Sequence, residues 1–158
     1  MASTDYHPLG TFVRVLSLTG QRCAETSQLK PGHFGNTLLY PETKNNTAHE
    51  IPLCPMDRKE LEKLPPTLFG RLSGYGKYKR RLDAHLQLPN WTLHDLRRTF
   101  SSTLARLGTP IHITEKLLNH KSGTLSGVVG IYNRYSYLDE MREALMVYEA
   151  HIAKLVGE

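Results

Sequence analysis

Apolar residues recur at helical spacing over most of the chain, and Leu9, Phe12 and Leu16 are the first such set. Such spacing is typical of helices that bury one face. Gly20 and the pair Pro31-Gly32 interrupt the pattern. Helices are therefore expected over residues 9 to 18, 22 to 29, 76 to 88, 93 to 107, 111 to 118 and 138 to 156, with a charged helix that begins at residue 58 and breaks at Pro65-Pro66.

The pattern changes between residues 34 and 53, where two short pieces have the character of strands. These pieces are "HFGNTLLYP" and "HEIPL", and the polar run "ETKNNTA" between them reads as a turn. A length of 158 residues suits one domain that buries a real core. The predicted fold class is therefore mainly α with a small antiparallel β-sheet (α+β), in a single domain over residues 1 to 158.

Composition favours an anionic partner such as nucleic acid. The chain has 20 Lys and Arg against 15 Asp and Glu, a formal charge of +5 and a pI near 9.3. Its two cysteines, Cys23 and Cys54, lack the CxxC spacing of a zinc module and indicate a reducing compartment. No apolar run approaches the roughly 18 residues of a membrane span, and "MASTDYHPLG" lacks an apolar signal core. A cytoplasmic location without membrane contact is expected.

The stretch "TLHDLRRTFSS" places cations at the start of a helix, where the helix dipole favours an anion. Thr92 and Asp95 form a capping-box-like start, and Gly108 suits the position after the last helical residue. His94 and Arg97 are three residues apart and so should be neighbours on the helix surface. A phosphate there would receive imidazole, guanidinium and backbone N–H groups. A solvated cationic helix face with a capping histidine fits the same residues.

Five motifs together closely resemble the catalytic domain of tyrosine recombinases, specifically phage and prophage integrases of the phage P4 type. In chain order they are "SLTGQRCAETSQL", "TKNNTAHEIPL", "LHDLRRTFSSTLARLG", "LLNHKSG" and "GVVGIYNRYSYLDEMREAL". They cover nearly the whole chain in the family's order. The resemblance implies the tyrosine-recombinase catalytic-domain fold, double-stranded DNA attachment sites as partner, and a homo-tetramer in the synaptic complex formed from a chain that is monomeric alone.

The resemblance also assigns six catalytic residues. Arg22 follows the "LTG" turn as the first arginine, and Lys44 would protonate the leaving 5′ oxygen from the tip of the hairpin. Without the resemblance, both would be ordinary surface cations. The full implied set is Arg22, Lys44, His94, Arg97, His120 and Tyr132. Arg98 is expected to serve the fold or the DNA backbone instead of the chemistry.

The chemistry of strand transfer accounts for these residue types. Attack on a phosphodiester concentrates charge on two non-bridging oxygens, which two arginines can neutralise through forked hydrogen bonds without a metal. Histidines can move protons near neutral pH, a lysine can serve the leaving oxygen, and a tyrosine can form a covalent link. The sequence has no P-loop, no GxGxxG and no spaced carboxylate cluster. No cofactor, metal ion or ATP is therefore expected.

The choice of nucleophile is the least determined assignment, because "GIYNRYSYLDE" contains three tyrosines. The resemblance favours Tyr132, with Tyr135 and Tyr137 as packing residues or residues facing DNA. Tyr137 begins an apolar stripe, which is typical of a core residue. Asn119 stands where the family usually has glycine, and we expect it to remove the conformational freedom of a glycine.

Two further segments allow two interpretations each. The cluster "KYKRR", residues 77 to 81, would either follow a DNA backbone or form a solvated helix face. The last helix carries apolar residues at alternating steps of three and four, which would either cover its own domain or dock on a neighbouring subunit. These residues are Leu138, Met141, Leu145, Tyr148, Ile152 and Leu155.

The sequence thus predicts a site-specific recombinase, a prophage or viral integrase, that cleaves and rejoins DNA through a 3′-phosphotyrosyl intermediate. The alternatives are an inert DNA-binding remnant or regulatory module, and a type IB topoisomerase-like enzyme. The segment before Arg22 is too short for the arm-binding and core-binding domains of such integrases. We therefore expect a C-terminal fragment of a longer integrase, which would bind DNA weakly by itself.

Overall fold

The computed structural model describes residues 9–63, 75–86, 88–120 and 135–157. Within these ranges the chain forms seven α-helices and one two-stranded antiparallel sheet. This confirms the predicted fold class, mainly α with a small antiparallel β-sheet. The elements are α1 (Leu9–Thr19), α2 (Cys23–Thr26), a 3-10 turn (Pro31–His33), β1 (Thr37–Tyr40), β2 (His49–Pro52), α3 (Pro55–Leu61), α4 (Tyr75–Leu86), α5 (Leu93–Arg106), α6 (Ile111–Leu117) and α7 (Leu138–Val156).

Helix α1 forms the centre of the core and packs against α3 and α5. It ends at Thr19, and the next residue, Gly20, has a positive φ of 65° that favours glycine. A Cβ at this position would lie 2.3 Å from Cδ1 of Phe100 on α5. The absence of a side chain therefore lets the end of α1 approach α5 closely.

The sheet is a hairpin in which Thr37 pairs with Pro52 and Tyr40 with His49. Leu38, Tyr40 and Ile51 are buried against the core, while Leu39 and Glu50 face outward. This alternation is the two-residue period of a strand with one buried face. The polar turn predicted between the strands is present, and it carries Lys44.

Two helices differ from their predicted limits by three or more residues at one end. Helix α2 has four residues and does not continue to Leu29. The Ser27 hydroxyl donates to Ala24 O, a bond that competes with helix continuation, and the chain then turns inward to bury Leu29. Helix α3 begins at Pro55, because proline suits the first helical position, and it ends at Leu61. Pro65 and Pro66 lie outside the described residues.

Helix α7 covers its own domain in this structure. Met141, Leu145 and Tyr148 are buried, and the Tyr148 hydroxyl donates to Ser17 O at 2.8 Å. The Tyr148 ring meets Phe100 edge to face, with centroids 4.8 Å apart. The apolar stripe becomes exposed to solvent toward the end of the helix, where Leu155 is 68% exposed.

A buried carboxylate also connects α7 to the start of α3 through hydrogen bonds. Glu149 accepts hydrogen bonds from the backbone N–H groups of Met56 and Asp57 at the start of α3. Asp57 is itself buried beside it. Across the described ranges, no helix has both the length and the apolar character that a membrane span requires.

Candidate active site

The site forms around the C-terminal end of α6, where the chain turns sharply at Asn119. The N–H of Asn119 donates to Lys116 O and the N–H of His120 donates to Glu115 O, each at 3.0 Å. This pair of bonds is a Schellman motif, whose turning residue adopts the left-handed conformation. Asn119 has a φ of 49°, so it keeps the conformation that a glycine would supply. The expected loss of conformational freedom therefore has no effect on the backbone here.

Three successive carbonyl oxygens at this helix end accept hydrogen bonds from side chains of other segments. Such carbonyls lack partners within their own helix and carry the negative end of its dipole. The oxygen of Leu118 accepts from Arg97. The remaining bonds are Gln21 Nε2 to Leu117 O (2.8 Å), His49 Nε2 to Leu117 O (3.0 Å), Asn45 Nδ2 to Asn119 O (2.7 Å) and Arg22 to Asn119 O (3.5 Å).

Arg97 is buried, with 5% of its surface exposed. Its guanidinium donates to Gly20 O at 2.8 Å and to Leu118 O, and so joins the ends of α1 and α6. Burial, followed by the positive charge of Arg22, lowers the pKa of Arg97 to about 10. The expectation that Arg97 lies on the surface beside His94 is wrong, because its side chain turns inward toward these carbonyls.

Glu25 connects the first arginine to the hairpin turn. Its Oε1 accepts from Arg22 Nη1 at 3.0 Å and from the backbone N–H of Lys44 at 3.0 Å. Glu25 is only 6% exposed, which strengthens both interactions relative to water. The bond to Lys44 brings the hairpin turn to Arg22, whereas the Lys44 residue itself is exposed.

His120 follows the turn and is half-buried. Its Nδ1 lies 3.0 Å from Glu115 Oε1. A carboxylate can only accept, so this contact places a proton on Nδ1 and orients the ring, with Nε2 as the second ring nitrogen.

His94 is exposed on the first turn of α5, one turn before Arg97. The predicted capping box is present, since the Asp95 carboxylate accepts from the Thr92 N–H at 2.8 Å. That bond is the main reason why the pKa of Asp95 is lowered. Arg98 is largely exposed and forms a 3.3 Å ion pair with Asp95. It therefore points away from the carbonyl groups at the end of α6.

The predicted nucleophile, Tyr132, lies outside the described residues. Tyr137 is half-buried at the start of α7 and has a φ of 59°. Its ring packs edge to face on His112 and on Tyr135, with centroids 5.4 and 4.8 Å apart. Tyr135 is 54% exposed. The structure therefore gives Tyr137 a packing role.

The cationic cluster of α4 contains one lysine that makes contacts within the domain and three cations that are exposed. Lys79 Nζ lies 2.6 Å from Asp83 Oδ1 and 4.0 Å from the centroid of the Trp91 ring, which ties α4 to the start of α5. The other three cations, Lys77, Arg80 and Arg81, are exposed. Within this cluster, these three cations remain candidates for DNA-backbone contacts.

Sequence reasoning did not predict several polar residues of the site, namely Gln21, Glu25, Asn45 and His49. Glu25 had one local signal, its spacing of three residues from Arg22 at the start of a helix. His49 had none, because its partner Leu117 is 68 residues away. Burial lowers the pKa of His49, which favours a neutral ring that donates from Nε2. In the part of the chain that is described, no three His, Cys, Asp or Glu residues converge as metal ligands.

The catalytic domain of bacteriophage HP1 integrase is similar in structure, with a TM-score of 0.56 and 27% identity over 82% of this chain and 74% of that domain. The chain has the tyrosine-recombinase catalytic-domain fold. The site-specific recombinase XerH shares this fold. Its pre-cleavage complex with difH substrate matches at a TM-score of 0.56 and 19% identity, over 71% of this chain and 39% of XerH.

The post-cleavage complex of XerH with palindromic difH substrate matches at a TM-score of 0.59 and 16% identity, over 99% of this chain. It covers 47% of the XerH chain, so the tyrosine-recombinase fold described here spans less than half of that protein. No protein-family model and no curated protein matches the sequence.

Proposed function

We propose that this chain is the catalytic domain of a site-specific DNA recombinase, an integrase that cleaves and rejoins strands through a 3′-phosphotyrosyl intermediate. One observation supports this most directly. Arg22 and Arg97 converge on neighbouring carbonyl groups at the end of α6, directly before His120. The turn that carries Lys44 is attached to the same cluster through Glu25.

Two guanidinium groups held this close make a site for an anion. Burial, and then the charge of Arg22, lower the pKa of Arg97, and the nearby Glu25 carboxylate offsets only part of this effect. A guanidinium has five N–H donors, and two carbonyl contacts leave others for the non-bridging oxygens of a phosphate. The buried network orients these donors in advance, which is how such sites stabilise a transition state.

The proposed reaction uses side chains alone. The Tyr132 oxygen bonds to phosphorus as the bond from phosphorus to the 5′ oxygen breaks, and the phosphate remains on tyrosine. A histidine, His94 or His120, takes the tyrosine proton, while Lys44 gives a proton to the leaving 5′ oxygen. In the second half, a 5′ hydroxyl attacks the phosphotyrosine and restores the tyrosine. In both steps, the two arginines neutralise the negative charge that builds up on the non-bridging oxygens of the phosphate.

The sequence resemblance is the basis for more specific proposals about the type of integrase, its substrate and its assembly. They are a prophage integrase of the phage P4 type, double-stranded attachment sites as substrate, and a tetrameric synaptic complex formed from monomers. A location in the cytoplasm is proposed instead from the cysteine usage and hydropathy of the sequence. The XerH structures were solved with difH substrate, which supports a DNA partner. From the resemblance we also propose that arm-binding and core-binding domains complete the enzyme.

The function can be tested with nicked duplexes of randomised sequence, in which a cleaved strand loses a short fragment and cannot be rejoined. We expect the wild-type chain to form DNA adducts that survive denaturing detergent and are enriched in one sequence. An inert DNA-binding module would bind in a salt-sensitive way without adducts. A topoisomerase-like enzyme would form adducts without enrichment and would relax supercoiled DNA. Either result would overturn the proposed function.

A further inference from the structure

Asn119 makes two separate contacts with the turn between β1 and β2. Its carbonyl oxygen accepts from Asn45 Nδ2 at 2.7 Å, and its own Nδ2 donates to Thr43 Oγ1 at 3.1 Å. Thr43 and Asn45 are the residues immediately before and after Lys44. Asn119 therefore binds the side chains of the residues on both sides of Lys44, from a position 74 residues away from Asn45.

The Thr43 hydroxyl that receives this bond also organises the turn. It donates to Thr47 O at 2.9 Å and accepts the N–H of Asn45 at 3.3 Å. Thr43 is 7% exposed, so water competes little for these bonds. The bond from Asn119 thus enters a buried network that sets the shape of the turn, in addition to the bond between Glu25 and the N–H of Lys44.

The same residue sets the direction of the chain into His120. Asn119 is the left-handed residue of the Schellman motif, and its carbonyl also accepts from Arg22 at 3.5 Å. A glycine would reproduce the backbone conformation and the carbonyl contacts. It would lack only the side-chain bond to Thr43, which separates the two contributions experimentally.

We propose that Asn119 is a positioning residue that holds the β1–β2 turn so that the amine of Lys44 reaches the leaving 5′ oxygen. This rests on the proposed strand-transfer function. Lysine has a long flexible side chain, so a mobile turn would spread its amine over many positions and slow proton transfer. The side-chain amide of Asn119 reduces that spread without touching the DNA.

The test compares two versions of the DNA selected by the wild-type chain. In one the 5′ leaving atom is oxygen, and in the other it is a bridging sulfur, which leaves as a thiolate and needs no proton. We expect Asn119→Gly to slow cleavage of the oxygen substrate by roughly ten- to a hundredfold and to cleave the sulfur substrate at nearly the wild-type rate. Lys44→Ala should show the same dependence on the leaving atom.

Two further variants complete the design. Thr43→Val removes the acceptor of the Asn119 bond and should reproduce the pattern. Asn46→Gly is the matched control, because Asn46 has a φ of 54° in the same turn and is exposed. It should cleave both substrates at the wild-type rate.

Equal slowing of both substrates by Asn119→Gly and Thr43→Val would show a merely structural role and overturn the proposal. Unchanged cleavage of the oxygen substrate by Asn119→Gly would do the same. A wild-type chain that cleaves neither substrate would instead overturn the strand-transfer function itself. The wild-type reaction therefore separates the two failures.

Discussion

Arg22 and Arg97 donate to the carbonyl oxygens of two consecutive residues, Asn119 and Leu118, at the C-terminal end of α6. A helix C-terminus carries partial negative charge, which stabilises both cations. Cations at the start of α5 interact unfavourably with the dipole of that helix. Arg97 resolves this by reaching the opposite end of a different helix.

The adjacent residues Arg97 and Arg98 provide a first test of this arrangement. A lysine has one point charge and cannot span both Gly20 O and Leu118 O. We expect Arg97→Lys to lower the free energy of unfolding by about 1–3 kcal/mol, since a buried carbonyl loses its partner. Its cleavage rate should fall roughly 100-fold or more, because the forked donors are lost.

Arg98→Lys is the matched control, because Arg98 is 74% exposed at its side chain and, among the described residues, forms an ion pair only with Asp95. Its free energy of unfolding should stay within about 0.5 kcal/mol of wild type. Urea denaturation and the adduct assay measure both quantities. Equal effects of the two substitutions would refute the role assigned to the buried guanidinium.

The contact between Gly20 and Phe100 predicts a large effect of a single methyl group. Gly20→Ala would place a Cβ 2.3 Å from the Phe100 ring at a positive φ. We expect a loss of about 2–4 kcal/mol in the free energy of unfolding, from crowding and backbone strain together.

Gly108→Ala isolates the backbone contribution, because Gly108 has a φ of 86° and nothing lies within 4 Å of its Cβ position. This variant should lose only about 1 kcal/mol in urea denaturation. If both alanine variants lose the same amount, the close approach of α1 to α5 is not what requires Gly20.

The buried carboxyl of Asp57 predicts a pH-dependent stability. Burial, and then the neighbouring Glu149, raise the pKa of Asp57 well above its usual value. Above the ordinary carboxyl pKa the unfolded chain loses this proton while the folded chain keeps it. Wild-type stability should therefore fall as pH rises toward the raised pKa, by about 1.4 kcal/mol per pH unit for one proton.

Asp57→Asn cannot ionise, so it should gain stability relative to wild type as the pH is raised from about 4 to 7. Urea denaturation at several pH values measures this difference. Asp139→Asn, which alters an exposed carboxylate at the start of α7, should show no such gain. A constant difference between Asp57→Asn and wild type would contradict the raised pKa.

Local features of α5 could be predicted from the sequence, whereas its role in the site could not. The capping pair Thr92 and Asp95 is three residues apart, and Gly108 closes a Schellman motif within one turn. Arg97 instead depends on Gly20 O and Leu118 O, which are 77 and 21 residues away. The pattern of the helix therefore predicts its limits but not which arginine turns inward.

The hairpin also combines local features that the sequence predicts with long-range contacts that it does not predict. Its strands follow from alternating residues and its turn from a polar run, all within 20 residues. What fixes Lys44 is the carboxylate of Glu25 and the amide of Asn119, which come from α2 and from the end of α6. Only folding brings these groups together, and no local pattern encodes their contacts.

Covalent trapping on a nicked substrate shows whether the chain transfers DNA strands through one tyrosine. Tyr132→Phe removes only the attacking oxygen, so DNA binding should persist while the detergent-stable adduct disappears. Tyr135→Phe and Tyr137→Phe should still form the adduct. Trapping that survives Tyr132→Phe but is lost with Tyr135→Phe or Tyr137→Phe would identify one of those tyrosines as the nucleophile. A wild-type chain that forms no adduct would refute strand transfer by this chain.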